Sequence, residues 1–399
     1  MTTSKKVIKA WSNDINEKTL LYLDTLSSLP FLYKHIAVMP NVCYSDHSLS
    51  GVAYASEHPI MPAAIGPDIG CGVKAIKLNF DVNLIKNHNE LRNRIEKTIP
   101  CGRKANNWGN FEKVKNKEAI IKLINQRKFS DKIVPNIIGQ IGTIDGGQHF
   151  IEISYDENDI AWLLIHSGSS LVGEFIANNH IHHARGLMKK YFINLKEVDF
   201  AYFVSKTDEY TAYLNDIDWI QRYAVENRNI IMDLILNEIL AHVFGSTFEY
   251  EICEFGGSPK KSSQFFEEID CRHNYFNLEE HFGKKVWITR KGTISARENE
   301  LVIILGSMAT PSYIGRGKGN ADSFLSCAHG VGRKMSKEDA SNYFTIDDVI
   351  AQTVNIESRI DLSMSHEIPA AYNNIEEVIA QQKDLVDILH KLTPIISVK

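Results

Sequence analysis

The chain has 399 residues, 44 basic and 49 acidic, with a formal net charge of −5 and 44% hydrophobic residues. That length buries a large core, while the charge excludes a chain-wide basic field, so nucleic-acid contact must come from a local patch. Six cysteines without repeated spacing exclude a disulfide framework, and no apolar run approaches the roughly 20 residues of a membrane span. The N-terminus carries no apolar signal core, so a reduced, cytoplasmic protein is expected, with thiols available as ligands or nucleophiles.

Residues 16–29 read as a short helix, and 36–80 alternate short apolar runs with Gly and Pro, as strands and tight turns do. A basic, polar stretch at 84–130 reads as partly helical, with Arg103, Lys104, Arg127 and Lys128 on a solvated face. Phe150–Tyr155 and Ile160–Ile165 read as strands around an acidic turn. The clearest helix runs from Asp216 to Phe244, where Ile217, Ile220, Ala224, Ile231, Leu234, Ile235 and Ile239 fall at helical spacing and Gly245 is the stop. Strands are expected at Lys285–Thr289 and Leu301–Leu305, and helices near Ile375–Gln382 and Leu385–Leu392. With no repeat or linker, the expected organisation is one α+β domain over residues 1–399.

The residues that can do chemistry sit in Gly-rich stretches. In Gly66-Pro-Asp-Ile-Gly-Cys-Gly-Val73, Asp68 and Cys71 stand three apart and can share a pocket; a capping Asp and a buried Cys in a tight turn is the other reading. His149 lies where a Gly-rich turn enters a strand, with Glu152 three positions on. His166 ends an apolar strand, and His273 stands beside Asn274. Imidazole, carboxylate and thiolate together favour manganese, iron, cobalt or zinc over calcium or magnesium. Arg290 and Lys291 close a strand and either hold phosphate or form an exposed basic end. Gly306-Ser-Met-Ala-Thr310 admits a base or ribose, or is a turn. In Ser326-Cys-Ala-His-Gly-Val-Gly-Arg333, His329 sits among small residues with Arg333 placed for an anion. His180, His182 and His183 read as a solvated helix face, and Cys101, Cys253, Cys271 and Cys327 as buried or partly buried thiols.

Taken together, Pro67-Asp-Ile-Gly-Cys-Gly-Val73, His149-Phe-Ile-Glu152, His166-Ser-Gly-Ser169, His273-Asn274, Arg290-Lys-Gly292, Gly306-Ser-Met308, His329–Arg333, Glu367-Ile-Pro-Ala-Ala-Tyr372 and Lys399 resemble, in order, the signature of the RtcB family of RNA ligases. The resemblance runs from about Met39 to Lys399 and implies an RtcB-like fold. It implies Asp68, Cys71, His149, His166 and His273 as ligands of two Mn2+ ions with a shared thiolate, and His329 as the nucleophile that takes GMP from GTP. It further implies Glu152, Ser307, Met308, Gly330, Tyr372 and Lys399 around the guanosine nucleotide, and Lys291 and Arg333 at phosphate. Gly330 and Gly332 would then let backbone approach the nucleotide. The implied reaction joins an RNA 3′-phosphate or 2′,3′-cyclic phosphate end to a 5′-hydroxyl end. Two other readings are a metal-dependent RNA end-processing phosphodiesterase without sealing, and a non-catalytic GTP- and RNA-binding regulator.

Six positions depart from the family pattern: Asn41 for aspartate, Cys43 for histidine, Gln148 for asparagine, Ser170 for arginine, His366 for an acidic residue and Asn373 for lysine. They spare the implied metal and guanylate residues and fall where RNA contact is expected. The activation step is therefore expected to be kept more securely than the RNA step, as in a divergent paralogue.

Overall fold

The computed structural model describes residues 5–45, 48–102, 117–127, 134–146, 148–257 and 265–399. Within them the chain adopts the expected α+β mixture. The larger sheet runs, in spatial order, β12 (Leu301–Ile304), β13 (Ser312–Gly317), β15 (Val386–Val398), β5 (Phe150–Tyr155), β6 (Ile160–Ser167), β4 (Gly72–Asp81), β8 (Phe265–Arg272) and β7 (Glu251–Glu254). Its neighbours are antiparallel except β7 and β8. The smaller sheet runs β1 (Val7–Ala10), β2 (Leu32–Ser45), β3 (Ser48–Ser56), β10 (Lys284–Lys291) and β9 (Asn274–His281), and a two-stranded ribbon pairs β11 (Thr293–Ser295) with β14 (Ser326–Ala328).

Strand β6, Ile-Ala-Trp-Leu-Leu-Ile-His-Ser, is buried along nearly its whole length, as a strand covered on both faces must be. Alternate residues serve alternate cores. Leu163 and Ile165 join Ile151 and Ile153 in one cluster with Ile217, Ile220, Ile231 and Ile235 of the helix Asp208–Phe244. Trp162 and Leu164 join Ala53, Ala55, Val286 and Ile288 of the smaller sheet in a second. The larger sheet thus lies between the long helix and the smaller sheet.

The long helix begins about two turns before the expected Asp216. Its first eight residues bury only Tyr213, so they show no apolar period; the start is marked instead by Thr207, whose side chain caps the Tyr210 N–H. Gly245, with φ of 75°, ends it as expected. The helix expected near Leu385–Leu392 is a strand. Leu385, Ile388, Leu389 and Leu392 have helical spacing, but Val386–Val398 fills the slot between β13 and β5, and pairing on both edges overrides that period. Pro394 sits at its register shift, where a missing N–H is tolerated. Two surface expectations also change. Arg127 pairs with Asp216 and lies over the Trp219 ring, while His180 Nε2 is 2.7 Å from Asp216 Oδ2. Arg103, Lys104 and Lys128 lie outside the described residues. Among the described residues no helix is long and apolar enough to cross a membrane.

Register brings the chemistry to one rim. Val73 and Phe150 both pair with His166, and Gly72 pairs with both Ser167 and Arg272, so Cys71, His149, His166 and His273 emerge together. Arg228, fully buried on the long helix, fastens this rim from beneath. Nη1 donates to the carbonyls of Gly70 (2.9 Å) and Ser167 (3.1 Å), and Nη2 donates to Asp270 Oδ1 (2.9 Å). Gly72 makes room for it: a Cβ there would lie 2.5 Å from the Cys271 carbonyl oxygen and 3.2 Å from the guanidinium carbon. Arg228→Met should therefore destabilise the protein by about 2–4 kcal/mol in urea unfolding at pH 7, because two carbonyls lose their donor and the partly exposed Asp270 carboxylate is left with Lys74 alone.

Candidate active site

Cys71 lies just before β4, His149 just before β5, His166 within β6 and His273 between β8 and β9. The Cys71 Sγ stands 3.1 Å from His149 Nε2 and 3.3 Å from His166 Nε2, and His166 Nε2 stands 3.0 Å from His273 Nε2. Asp68 Oδ1 is 3.7 Å from His149 Nε2. The donors form two groups sharing the thiol, Asp68–Cys71–His149 and Cys71–His166–His273, each with its ligand atoms within 4.8 Å of one another. Asn274 steadies the carboxylate: Nδ2 donates to Asp68 Oδ2 (3.1 Å), and Oδ1 accepts from the Gly292 N–H (2.9 Å).

Electrostatics make this a ligand set. Burial, reinforced by the neighbouring imidazoles, holds His166 and His273 well below the usual histidine range, so both are neutral with lone pairs to give. Burial and the Asp68 carboxylate push the Cys71 thiol well up, so a thiolate there needs a cation beside it. All three imidazoles converge through Nε2, and none has a hydrogen-bond partner at Nδ1. Two Nε2 atoms facing at 3.0 Å, a shared sulfur and a carboxylate fit transition-metal cations.

A pocket adjoins the rim and is lined by Glu152, Ser307, Met308, His329, Gly330, Arg333, Tyr372 and Lys399. The His329 ring stacks on His273 with centroids 4.2 Å apart, and Nδ1 donates to the Gly292 carbonyl oxygen at 2.7 Å. An acceptor at Nδ1 leaves the lone pair on Nε2, and burial lowers the His329 pKa to about 4. Burial pushes Glu152 up to about 7. Lys291 donates to the Ile65 carbonyl oxygen (2.5 Å), faces Asp68 and Cys71, and is held below the usual lysine range by burial.

Several expectations need correction. Asn41, expected at RNA, donates to the Gly292 carbonyl oxygen (2.9 Å) and lies 3.0 Å from His329 Nδ1. His366 and Asn373 stand behind the pocket wall and touch residues that line it: His366 Nε2 is 3.2 Å from Glu367 Oε1, and Asn373 Nδ2 donates to the Val331 carbonyl oxygen (3.2 Å). Gly330 and Gly332 line the pocket, but the space they leave is filled by protein. A Cβ on Gly332 would lie 2.7 Å from the Asn41 carbonyl oxygen, and one on Gly330 would lie 3.0 Å from that of Leu305. Arg290 is neither exposed nor a phosphate ligand; it is fully buried on Glu279, Ser326 Oγ and the Phe324 carbonyl oxygen. Arg333 is turned inward, donating to the His366 carbonyl oxygen (2.9 Å) and to Glu367 Oε1 (2.7 Å). Glu367 also accepts from Tyr372 (2.8 Å) and from Lys399.

These features set a cluster of metal-type donors directly against a pocket that holds a neutral, buried histidine. Residues 22–399 match the family profile described as tRNA-splicing ligase RtcB. The chain is 35% identical to the RNA-splicing ligase RtcB of Escherichia coli K12, over all of this chain and 98% of the relative. It is 26% identical to the tRNA-splicing ligase RtcB of Nanoarchaeum equitans, over 96% of this chain and 90% of the relative. The chain belongs to the RtcB family.

Burial alone would raise the Glu367 carboxyl, but Lys399, His366 and Arg333 outweigh it and hold the group well below the usual carboxylate range. A depressed folded pKa gives stability that is present above the unfolded value of about 4.3 and fades as pH falls through the folded one. Glu367→Gln should therefore be clearly destabilised in urea at pH 7, by about 3 kcal/mol, and the gap to wild type should narrow as pH is lowered below 4.

Proposed function

We propose that this chain is a cytoplasmic RNA ligase acting as one catalytic domain. It joins RNA 3′-phosphate or 2′,3′-cyclic phosphate ends to 5′-hydroxyl ends in RNA repair or tRNA splicing, using GTP and two Mn2+ ions. The family membership supports the reaction class. The observation that carries the mechanism is His329, whose Nδ1–H is fixed on the Gly292 carbonyl oxygen and whose ring lies against the donor set.

In this reading Asp68, Cys71 and His149 would hold one ion and Cys71, His166 and His273 the other. When bound, the ions neutralise phosphate charge and orient an in-line displacement. His329 Nε2 attacks the α-phosphate of GTP, forming an N–P bond as pyrophosphate leaves. A 2′,3′-cyclic phosphate end is first opened by water to a 3′-phosphate and a 2′-hydroxyl; GMP then passes from His329 to the 3′-phosphate, and the 5′-hydroxyl of the second end displaces it. Lys291 supplies a further cation beside the ions. Glu152 accepts from the guanine edge, and Ser307, Met308, Gly330, Tyr372 and Lys399 enclose the nucleotide. Arg333 acts by holding Glu367, which in turn holds Tyr372 and Lys399.

Incubation with Mn2+ and α-labelled GTP should give an acid-labile, protein-bound GMP, absent in His329→Ala; equal label on that variant would sink the mechanism. Joined product from defined RNA ends separates ligation from end processing alone, the reading that Ser170 favours by placing a hydroxyl where the family usually has arginine. The Glu152 pKa adds a pH test. An ionised carboxylate accepts from guanine, so GTP binding should strengthen as pH rises through about 7. Glu152→Gln should weaken binding at pH 8 by about 1.5–3 kcal/mol and flatten that pH dependence in calorimetric titrations.

A further inference from the structure

The Asp145 carboxylate has no part in the chemistry above, yet its Oδ2 lies 3.8 Å from His149 Nδ1. His149 is buried and its Nδ1 has no hydrogen-bond partner, while Nε2 faces Cys71 Sγ at 3.1 Å and Asp68 Oδ1 at 3.7 Å. One nitrogen points into the donor set and the other at a carboxylate. Nδ1 of His166 and of His273 is also unpartnered, but among the described residues neither ring has a carboxylate within 4.0 Å. The Ser170 hydroxyl also faces Asp145, on a buried residue that opens the helix Ser170–Lys190 with φ of 54°.

We propose that Asp145 is a positioning residue of the metal site, accepting a hydrogen bond from His149 Nδ1–H and so fixing the tautomer that directs the Nε2 lone pair at the cation. A carboxylate behind an imidazole also raises its basicity as a ligand. The remaining gap is about 1 Å relative to a charge-assisted hydrogen bond, and the Asp145 side chain, 26% exposed, has room to turn through it. Ser170 belongs to the same device. An arginine at 170, as the family usually has, would pair with Asp145 and draw it off the imidazole, whereas a hydroxyl leaves the carboxylate charge for His149. The inference rests on the two-metal reading above.

The test is calorimetric titration of the full, chelator-stripped chain with MnCl2, for wild type, Asp145→Asn, Asp145→Glu and Ser170→Arg. Equal melting temperatures in EDTA establish that the variants fold. Asp145→Asn should bind Mn2+ some 10–100-fold more weakly, Asp145→Glu should recover much of the loss, and Ser170→Arg should weaken binding. In zinc-loaded, 15N-histidine-labelled protein, one downfield imidazole N–H beyond that of His329 on the Gly292 carbonyl should be present in wild type and move clearly upfield in Asp145→Asn. Wild-type Mn2+ affinity in Asp145→Asn, or an imidazole N–H spectrum unchanged by that substitution, overturns this inference alone. Failure of the wild type to bind Mn2+ overturns the metal reading and this inference with it.

Discussion

The guanidinium of Arg228 ties the turn before β4, the exit of β6 and the end of β8 to one point on the long helix. Those three pieces deliver Cys71, His166 and His273, so the spacing of the donor set is set by hydrogen bonds beneath it. A buried charge survives there because its partners are complete: two carbonyls and the Asp270 carboxylate, which Arg228 and Lys74 hold below the usual range against the opposing effect of burial. Remove the fork and the rim loses its register while the sheets still hold their cores.

Above that fastening lie two neighbouring electrostatic regimes. At the donor set, burial wins, and the His166 and His273 imidazoles and the Cys71 thiol are held neutral. At the far wall of the pocket, pairing wins, and Glu367 stays charged among Lys399, Arg333 and His366. His329 stands on the neutral side, where a lone pair is most available. The site is thereby divided into a part held neutral and a part whose charges are already matched.

Much of this was legible in the sequence, because the residues concerned are rare types at strand ends. Asp68, Cys71, His149 and His166 stand out beside Gly-rich turns and His273 beside Asn274, and the structure brings all five to one rim. What stayed hidden depends on contacts between distant segments. Nothing local to Asn41 says that it will meet His329, 288 positions away. Arg228 looks like one charge on a long helix until Gly72 makes space for it. Arg290 and Arg333 read as anion ligands by type, but the acids that capture them, Glu279 and Glu367, come from other elements. The error at Val386–Val398 has the same origin: an apolar period of about 3.6 residues is weaker information than two unpaired sheet edges waiting to be filled.

That strand has a consequence for how the molecule assembles. Strand β15 sits between β13 and β5, partners that precede it by about 70 and 230 residues, and its insertion converts two partial sheets into one. Until it enters, β13 and β5 each present a raw edge, a template for pairing with another chain. Closure of such long loops also makes this a slow, late event. Any mutation that delays insertion of β15 therefore raises aggregation before it touches the finished fold.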